Sequence, residues 1–269
     1  MHQRSPVAPN HAAARSSGGV GRLGSILSIW AHPDDETYLA GGLMATARDR
    51  GQRVVCATAT AGERGTSDRV TWPPARLGRI RRWEATAALA VLGIGEHHIL
   101  GLPDGALADH RAQGVTWVEQ LLTEVAPDTI LTFGPDGATF HPDHVAVHHW
   151  VTEAWDRLGR PARLLYAAAT PEHLTRFDEA YEPVGVYMTE QRPTGVASDD
   201  LSLHLQLDGS LLDRKLTALR AIATQTSDLL SIVGLPAYTA QIAEEAFIDA
   251  DAELTRPGPT RGSTARRAG

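Results

Sequence analysis

The sequence predicts an α/β protein with a Rossmann-like, mostly parallel sheet and helices on both faces. Short apolar, strand-like runs alternate with helix-like segments through the first two-thirds of the 269 residues. The connections between those runs are long enough to be crossovers rather than hairpins. Two of the runs end in clusters of His and Asp, at the strand tips where open α/β sheets build their sites.

The elements follow in order. Residues 25–31 form an apolar run and read as the first strand; a helix over about 38–50 stops at Gly51. Residues 53–60 read as the second strand. A polar loop over 61–71 leads to Pro73 and Pro74, which suit the opening of a helix that runs through Leu92 and stops at Gly93. A short third strand over 97–100 precedes the turn Gly101-Leu-Pro-Asp-Gly105, and a helix lies near 115–125. The fourth strand covers 129–133 and empties into the loop Gly134-Pro-Asp-Gly137. A helix after that loop reaches about residue 158, and the fifth strand covers 163–169. The last third is irregular, with short strands expected at 185–189 and 201–207 and a helix at 211–223. It is expected to complete the site rather than fold separately, so residues 24–255 form one domain. The tails, 1–23 and 256–269, are rich in Ser, Gly, Arg and Pro and read as disordered.

Composition narrows the function. Hydrophobic content of 42% and charged content of 21% are those of a soluble globular protein. A net charge of −7 leaves no basic surplus for nucleic acid or an anionic membrane. Lys215 is the only lysine. The single cysteine, Cys56, lies in the second strand and reads as a buried structural thiol. No run has the length and apolarity of a membrane span or a signal-peptide core, and a cytoplasmic location is expected. A homo-oligomer is compatible with the sequence.

The chemistry lies in two clusters. His32-Pro-Asp-Asp-Glu36 follows the first strand, and His141-Pro-Asp-His144 follows the fourth. A catalytic zinc ion commonly takes three His or carboxylate ligands and keeps a position for water. His32 and Asp35, three residues apart, can clamp one Zn2+ per chain, with His144 as the third ligand; Fe2+ or another divalent ion suits the same donors. Asp34 is left over as a general base for the water. His141 can act as general acid or oxyanion donor, and Asp143 can orient an imidazole through its ring N–H. If His141 works as a cation, a neighbouring Asp143 would hold its proton to higher pH. His144 and His148 are four apart on a helix face and form a rival pair. No Glu follows His144, so His148 and His149 read as surface or core residues.

These clusters, Ala31-His-Pro-Asp-Asp-Glu36 and His141-Pro-Asp-His144, resemble the two signature motifs of the PIG-L/LmbE-like family of zinc-dependent deacetylases. Thr60-Ala-Gly-Glu-Arg-Gly65, Arg81-Arg-Trp-Glu84 and Leu100-Gly-Leu-Pro-Asp-Gly105 extend the likeness, which covers roughly residues 24 to 250. The resemblance implies hydrolysis of the acetamide of an N-acetylglucosaminyl conjugate, a small-molecule partner. It implies that His32, Asp35 and His144 hold zinc, that Asp34 is the base and that His141 assists the intermediate. It also implies that Arg81, Asp104 and Glu63 border the sugar. Two positions depart from the pattern: Thr139 stands where relatives often carry tyrosine, and Ile222 where they often carry histidine. Alternatives are another small amide or ester on the same centre, or a non-catalytic sugar- or metal-binding protein; an unligated Asp34 beside a metal argues for the enzyme.

Overall fold

The computed structural model describes residues 19–181, 185–187 and 189–254. A seven-stranded sheet runs through them: β1 (Ile26–Trp30), β2 (Val54–Thr60), β3 (Glu96–Leu102), β4 (Thr129–Phe133), β5 (Arg163–Ala168), β6 (Leu203–Gln206) and β7 (Glu244–Asp249). Their order in space is β3-β2-β1-β4-β5-β7-β6. The first five are parallel, and β7 runs antiparallel between β5 and β6. Strands β1, β2 and β4 are buried at every residue, as expected of parallel strands covered on both faces. The edge strands β3 and β6 are partly exposed.

The nine helices described are α1 (Asp35–Asp49), α2 (Pro74–Leu92), α3 (Arg111–Val125), α4 (Pro142–Arg157), α5 (Pro171–Tyr181), α6 (Gly209–Ala221), α7 (Ala223–Val233), α8 (Leu235–Gln241) and α9 (Ala250–Leu254). Helices α1, α2 and α6 pack on one another, and α3 packs on α4. Proline opens α2 and α4 at positions whose N–H has no helical partner, and Gly93 in the left-handed region ends α2. Among the described residues no helix is long and apolar enough to cross a membrane. Cys56 is fully buried, as its strand position implied.

Several expectations are corrected. Strand β7 and helices α5, α7, α8 and α9 were not foreseen, and the described part of 185–189 is not a strand. The tails lie outside the described residues except for 19–23, where Val20 and Leu23 are buried in the core. The packed chain therefore begins before residue 24.

The sheet order reverses between β1 and β4, so a crevice opens beyond their carboxyl ends. Both His clusters leave from that edge. The start of α1 is anchored from the other end of the chain. Lys215, on α6, is fully buried; its Nζ donates to Glu245 Oε1 and to the Tyr38 carbonyl, both at 2.7 Å. Glu245, on β7, also accepts from the backbone N–H of Gly42 and Leu43 in the middle of α1, each at 2.7 Å. Burial lowers the Lys215 pKa, and Glu245 opposes that shift. Lys215→Met leaves a buried carboxylate without its cation and is expected to cost about 3–5 kcal/mol of folding free energy. Urea denaturation measures this; a loss below about 1 kcal/mol would show that the pair contributes little.

Candidate metal centre and its cavity

The turn after β1 delivers His32, Asp34 and Asp35 to the crevice, and the first turn of α4 delivers His141, Asp143 and His144. Three donor atoms converge there. His32 Nδ1 lies 3.1 Å from His144 Nε2 and 3.6 Å from Asp35 Oδ2, and His144 Nε2 lies 3.4 Å from Asp35 Oδ1. Tetrahedral ligands about 2.0–2.1 Å from zinc stand about 3.3 Å apart, so the two imidazoles are spaced for one ion, and Asp35 turns one oxygen toward each of them. His141 offers a second combination with the same two imidazoles, its ligand nitrogen lying within 4.8 Å of theirs. Asp35 and His141 therefore both stand within reach of the His32 and His144 pair.

The ring nitrogens facing away from this point have partners of their own. His144 Nδ1 lies 2.9 Å from the Gly137 carbonyl, which can only accept, so the proton sits on Nδ1 and the Nε2 lone pair faces inward. His32 Nε2 lies 3.1 Å from Asp104 Oδ1 and 3.4 Å from Asp143 Oδ2, which leaves its Nδ1 to face inward. Once His32 Nδ1 gives up its proton, two inward lone pairs and a carboxylate are a donor set for a cation, so the residues present fit a divalent ion. His32, Asp104 and Asp143 also form a buried group with metal-ligand spacing. A single N–H donated to paired carboxylates accounts for it.

Charge in the cluster is unevenly held. Burial works against a charged His32, but hydrogen bonds to Asp104, Asp143 and Asp35 outweigh it and hold its pKa well above the usual value. Burial takes His144 down to about 4, with Asp35 opposing. Burial also raises Asp35, but His144 and His32 beside it outweigh that and hold its carboxyl well below the usual range. Asp34 is pushed up to about 6, chiefly by burial, with Arg81 pulling it down and Asp35 pushing it further. Glu36 is fully buried and is pushed up to about 8 by burial and by Asp34. It therefore adds little negative charge below neutral pH. Sequence reasoning missed this residue, because only burial distinguishes it from its two acidic neighbours.

The surrounding groups hold the donors in place. Phe133 stacks on the His144 ring, with centroids 4.2 Å apart and planes 12° from parallel. At Gly137, φ is +57°, and a Cβ there would stand 2.7 Å from the His144 Cβ, so glycine is required where the loop meets the ligand. Asp143 accepts from the N–H of Gly105 and Leu107 at 2.7 and 3.0 Å, and it orients His32. His141 Nδ1 accepts from the Asp143 N–H at 3.1 Å, which leaves the proton of a neutral ring on Nε2. Burial and the nearby His32 lower the His141 pKa and outweigh Asp143. The shift runs opposite to the expectation of a proton held by Asp143 to higher pH, because burial and His32 outweigh that carboxylate.

Arg81, Asp104 and Glu63, which the resemblance put at the sugar, stand behind the donors. Arg81 is 2% exposed; it donates to the Gly62 and Pro33 carbonyls at 2.7 and 3.0 Å and to Asp34 Oδ2 at 3.0 Å. A Cβ on Gly62 would stand 2.2 Å from the Arg81 Nη1, so the loop can cross this guanidinium only as glycine. Asp104 accepts from the Arg64 N–H at 2.7 Å, and Glu63 from the Asp104 N–H at 2.9 Å. None of the three lines the cavity over the donors. The Arg81 Nη1 and Nη2 groups, Asp104 and Glu63 hold the ligand loops, while the Arg81 Nε is buried without a partner. His148 is apart from the cluster: its Nδ1 meets the Phe133 carbonyl at 3.0 Å, and its ring meets Tyr166 edge-on.

A cavity of about 340 Å³ opens over the donors, within the range of small-molecule sites. Asp34, Asp35, His141, His144 and Thr139 form its floor. Its far wall comes from α1, α5, α7, the end of α8 and β7, so the C-terminal third does complete the site. Ile222 is fully buried and does not reach the cavity.

The family described as PIG-L, GlcNAc-PI de-N-acetylase, matches residues 27–155. The chain is 33% identical over 230 residues to a 1D-myo-inositol 2-acetamido-2-deoxy-alpha-D-glucopyranoside deacetylase of Saccharomonospora viridis, covering 74% of this chain and 84% of that protein. It is 30% identical over 221 residues to the protein of the same name in Corynebacterium glutamicum, covering 74% of each. Among solved structures, the N,N'-diacetylchitobiose deacetylase from Pyrococcus horikoshii superposes with a TM-score of 0.64 over 91% of each chain, at 20% identity. That last likeness is one of fold.

Proposed function

The chain belongs to the PIG-L family of GlcNAc-PI de-N-acetylases, and from that premise we propose that it removes the acetyl group from an N-acetylated amino sugar in a glycoside. His32, Asp35 and His144 would hold one divalent ion, zinc being the best suited to the two imidazoles and one carboxylate. One observation carries the reading: two imidazoles 3.1 Å apart with Asp35 beside both, and a second acid, Asp34, left over on the same cavity floor. A protein that only bound a metal or a sugar would have no use for that acid.

A zinc-type ion supplies positive charge that acidifies water and polarises an acetamide carbonyl. Asp34 acts as general base and takes a proton from the attacking water, while Arg81 fixes its carboxylate from behind. As the water oxygen bonds to the carbonyl carbon, negative charge grows on the carbonyl oxygen. The His141 Nε2–H donates toward that oxygen. The C–N bond then breaks, and the proton collected by Asp34 balances the one delivered to the leaving nitrogen. The products are acetate and a free amino sugar. Asp104 and Asp143 keep the His32 ring turned and its Nε2 protonated throughout.

Incubating the zinc-loaded protein with a panel of N-acetylglucosaminides, with released primary amine as the readout, tests the reaction. Amine release from at least one member is expected. Stoichiometric metal with no release from any acetamide would leave the binding-protein reading in its place. His141→Ala is expected to lower kcat by about 10²–10³-fold with metal content unchanged. Loss of the ion in that variant would make His141 a ligand.

A further inference from the structure

The far wall of the cavity differs in character from its floor. Leu39, Leu174, Val186, Leu229 and Ile242 present alkyl surface there, with the ring of Tyr187 beside them. The polar groups on the same wall already have partners. The Tyr38 and Tyr238 hydroxyls bond to each other at 2.7 Å. Gln225 Nε2 donates to the Thr224 carbonyl at 2.9 Å. Glu244 accepts from the Thr170 hydroxyl at 2.9 Å and faces His173 and His204 at 3.7 and 3.4 Å. Glu245 is held by Lys215 and two backbone N–H groups.

Charge on the lining is also one-sided. Four carboxylates, Asp34, Asp35, Glu244 and Glu245, border the cavity, and among the described residues no arginine or lysine does. A phosphate or phosphodiester seated there would meet carboxylates with no arginine or lysine to balance its charge. A polyol would give up its water to a wall whose named hydrogen-bonding groups are mostly committed. An alkyl chain or aromatic ring would bury apolar surface against apolar surface at no such cost.

We propose that this wall is an aglycone subsite for an uncharged alkyl or aryl group. The substrate is then an N-acetylated amino sugar linked to an apolar alcohol or phenol, rather than to a polyol or a phosphate. The proposal rests on the deacetylase reading for the sugar's place over the donors, since the aglycone wall adjoins Asp34 and His144 in one continuous cavity. It departs from the inositol glycoside in the names of the two relatives above.

The decisive measurement is binding, so that it does not depend on turnover. Titration calorimetry on the zinc-loaded protein compares octyl β-D-glucoside and phenyl β-D-glucoside with glucosyl myo-inositol and glucose 1-phosphate. The two apolar glycosides are expected to bind at least tenfold more tightly than the other two. Leu174→Asn and Leu229→Asn, on separate helices and both only partly buried, are each expected to narrow that ratio to threefold or less. If one variant fails to fold, the other still reads the wall. Equal or tighter binding of the inositol or phosphate ligand, or a ratio unchanged in a folded variant, would overturn the proposal. Failure of the acetamide panel to release amine, alongside tight octyl glucoside binding, would sink the deacetylase reading and leave the apolar subsite standing.

Discussion

Replacing His32, Asp35 or His144 by alanine is expected to give a folded protein that holds no stoichiometric ion and has no measurable deacetylase activity. Each substitution removes one of three proposed protein donors, two imidazoles 3.1 Å apart and the carboxylate beside them. Two remaining donors make a far weaker site, and loss even of an outer partner of a ligand typically costs about 10–100-fold in affinity or activity. Elemental analysis after dialysis against metal-free buffer, together with amine release, measures both effects. His148→Ala is the contrast, since its Nδ1 already bonds to the Phe133 carbonyl 3.0 Å away. Its metal content should match the parent's. Equal metal loss from His148→Ala would mean that the helix presents the wrong histidines to the ion, and full metal in Asp35→Ala would favour the His32, His141 and His144 combination.

Asp34→Asn is expected to lower kcat by about 10²–10⁴-fold, the usual contribution of a positioned general base, while metal content stays at the parent level. Asparagine matches the carboxylate in size, and its carbonyl oxygen can still accept from Arg81 Nη2, which lies 3.0 Å from Asp34 Oδ2 in the parent. What it cannot do is take a proton from water. The change therefore separates chemistry from binding: KM should move little, and the rate should fall. If the variant lost its ion, Asp34 would be a ligand. A variant with the parent's rate would pass the role of base to another group on the cavity lining, such as Glu244.

Much of this was legible in the sequence because it is local. Strands β1, β2 and β4 are runs of apolar residues buried at every position, and no tertiary knowledge is needed to see them. Proline and glycine mark the ends of α2 within one residue of where they fall. The two His clusters announced a metal centre, since imidazoles and carboxylates crowded at two strand tips have few other uses. The missed strand β7 shows where local reading stops. It opens with Glu244 and Glu245, which read as a polar surface; their partners, Lys215, Thr170, His173 and His204, lie 30 to 74 residues away in the chain.

The sequence by itself determined the alternation of strand and helix, the donor types and the tight loops that carry them. Only the tertiary structure decided how those donors are used. His32 turns Nδ1 inward because Asp104 and Asp143, 72 and 111 residues further on, take its Nε2. Arg81 reaches Asp34 because Gly62 lets the loop close over its guanidinium. The cavity wall is apolar because five separated elements bring their alkyl faces together there. The physical reason is common to all three. Propensity and periodicity act over a few residues and are written in each segment. Which lone pair faces an ion and which charge is buried depend on the order of strands in the sheet, which brings together groups a hundred residues apart.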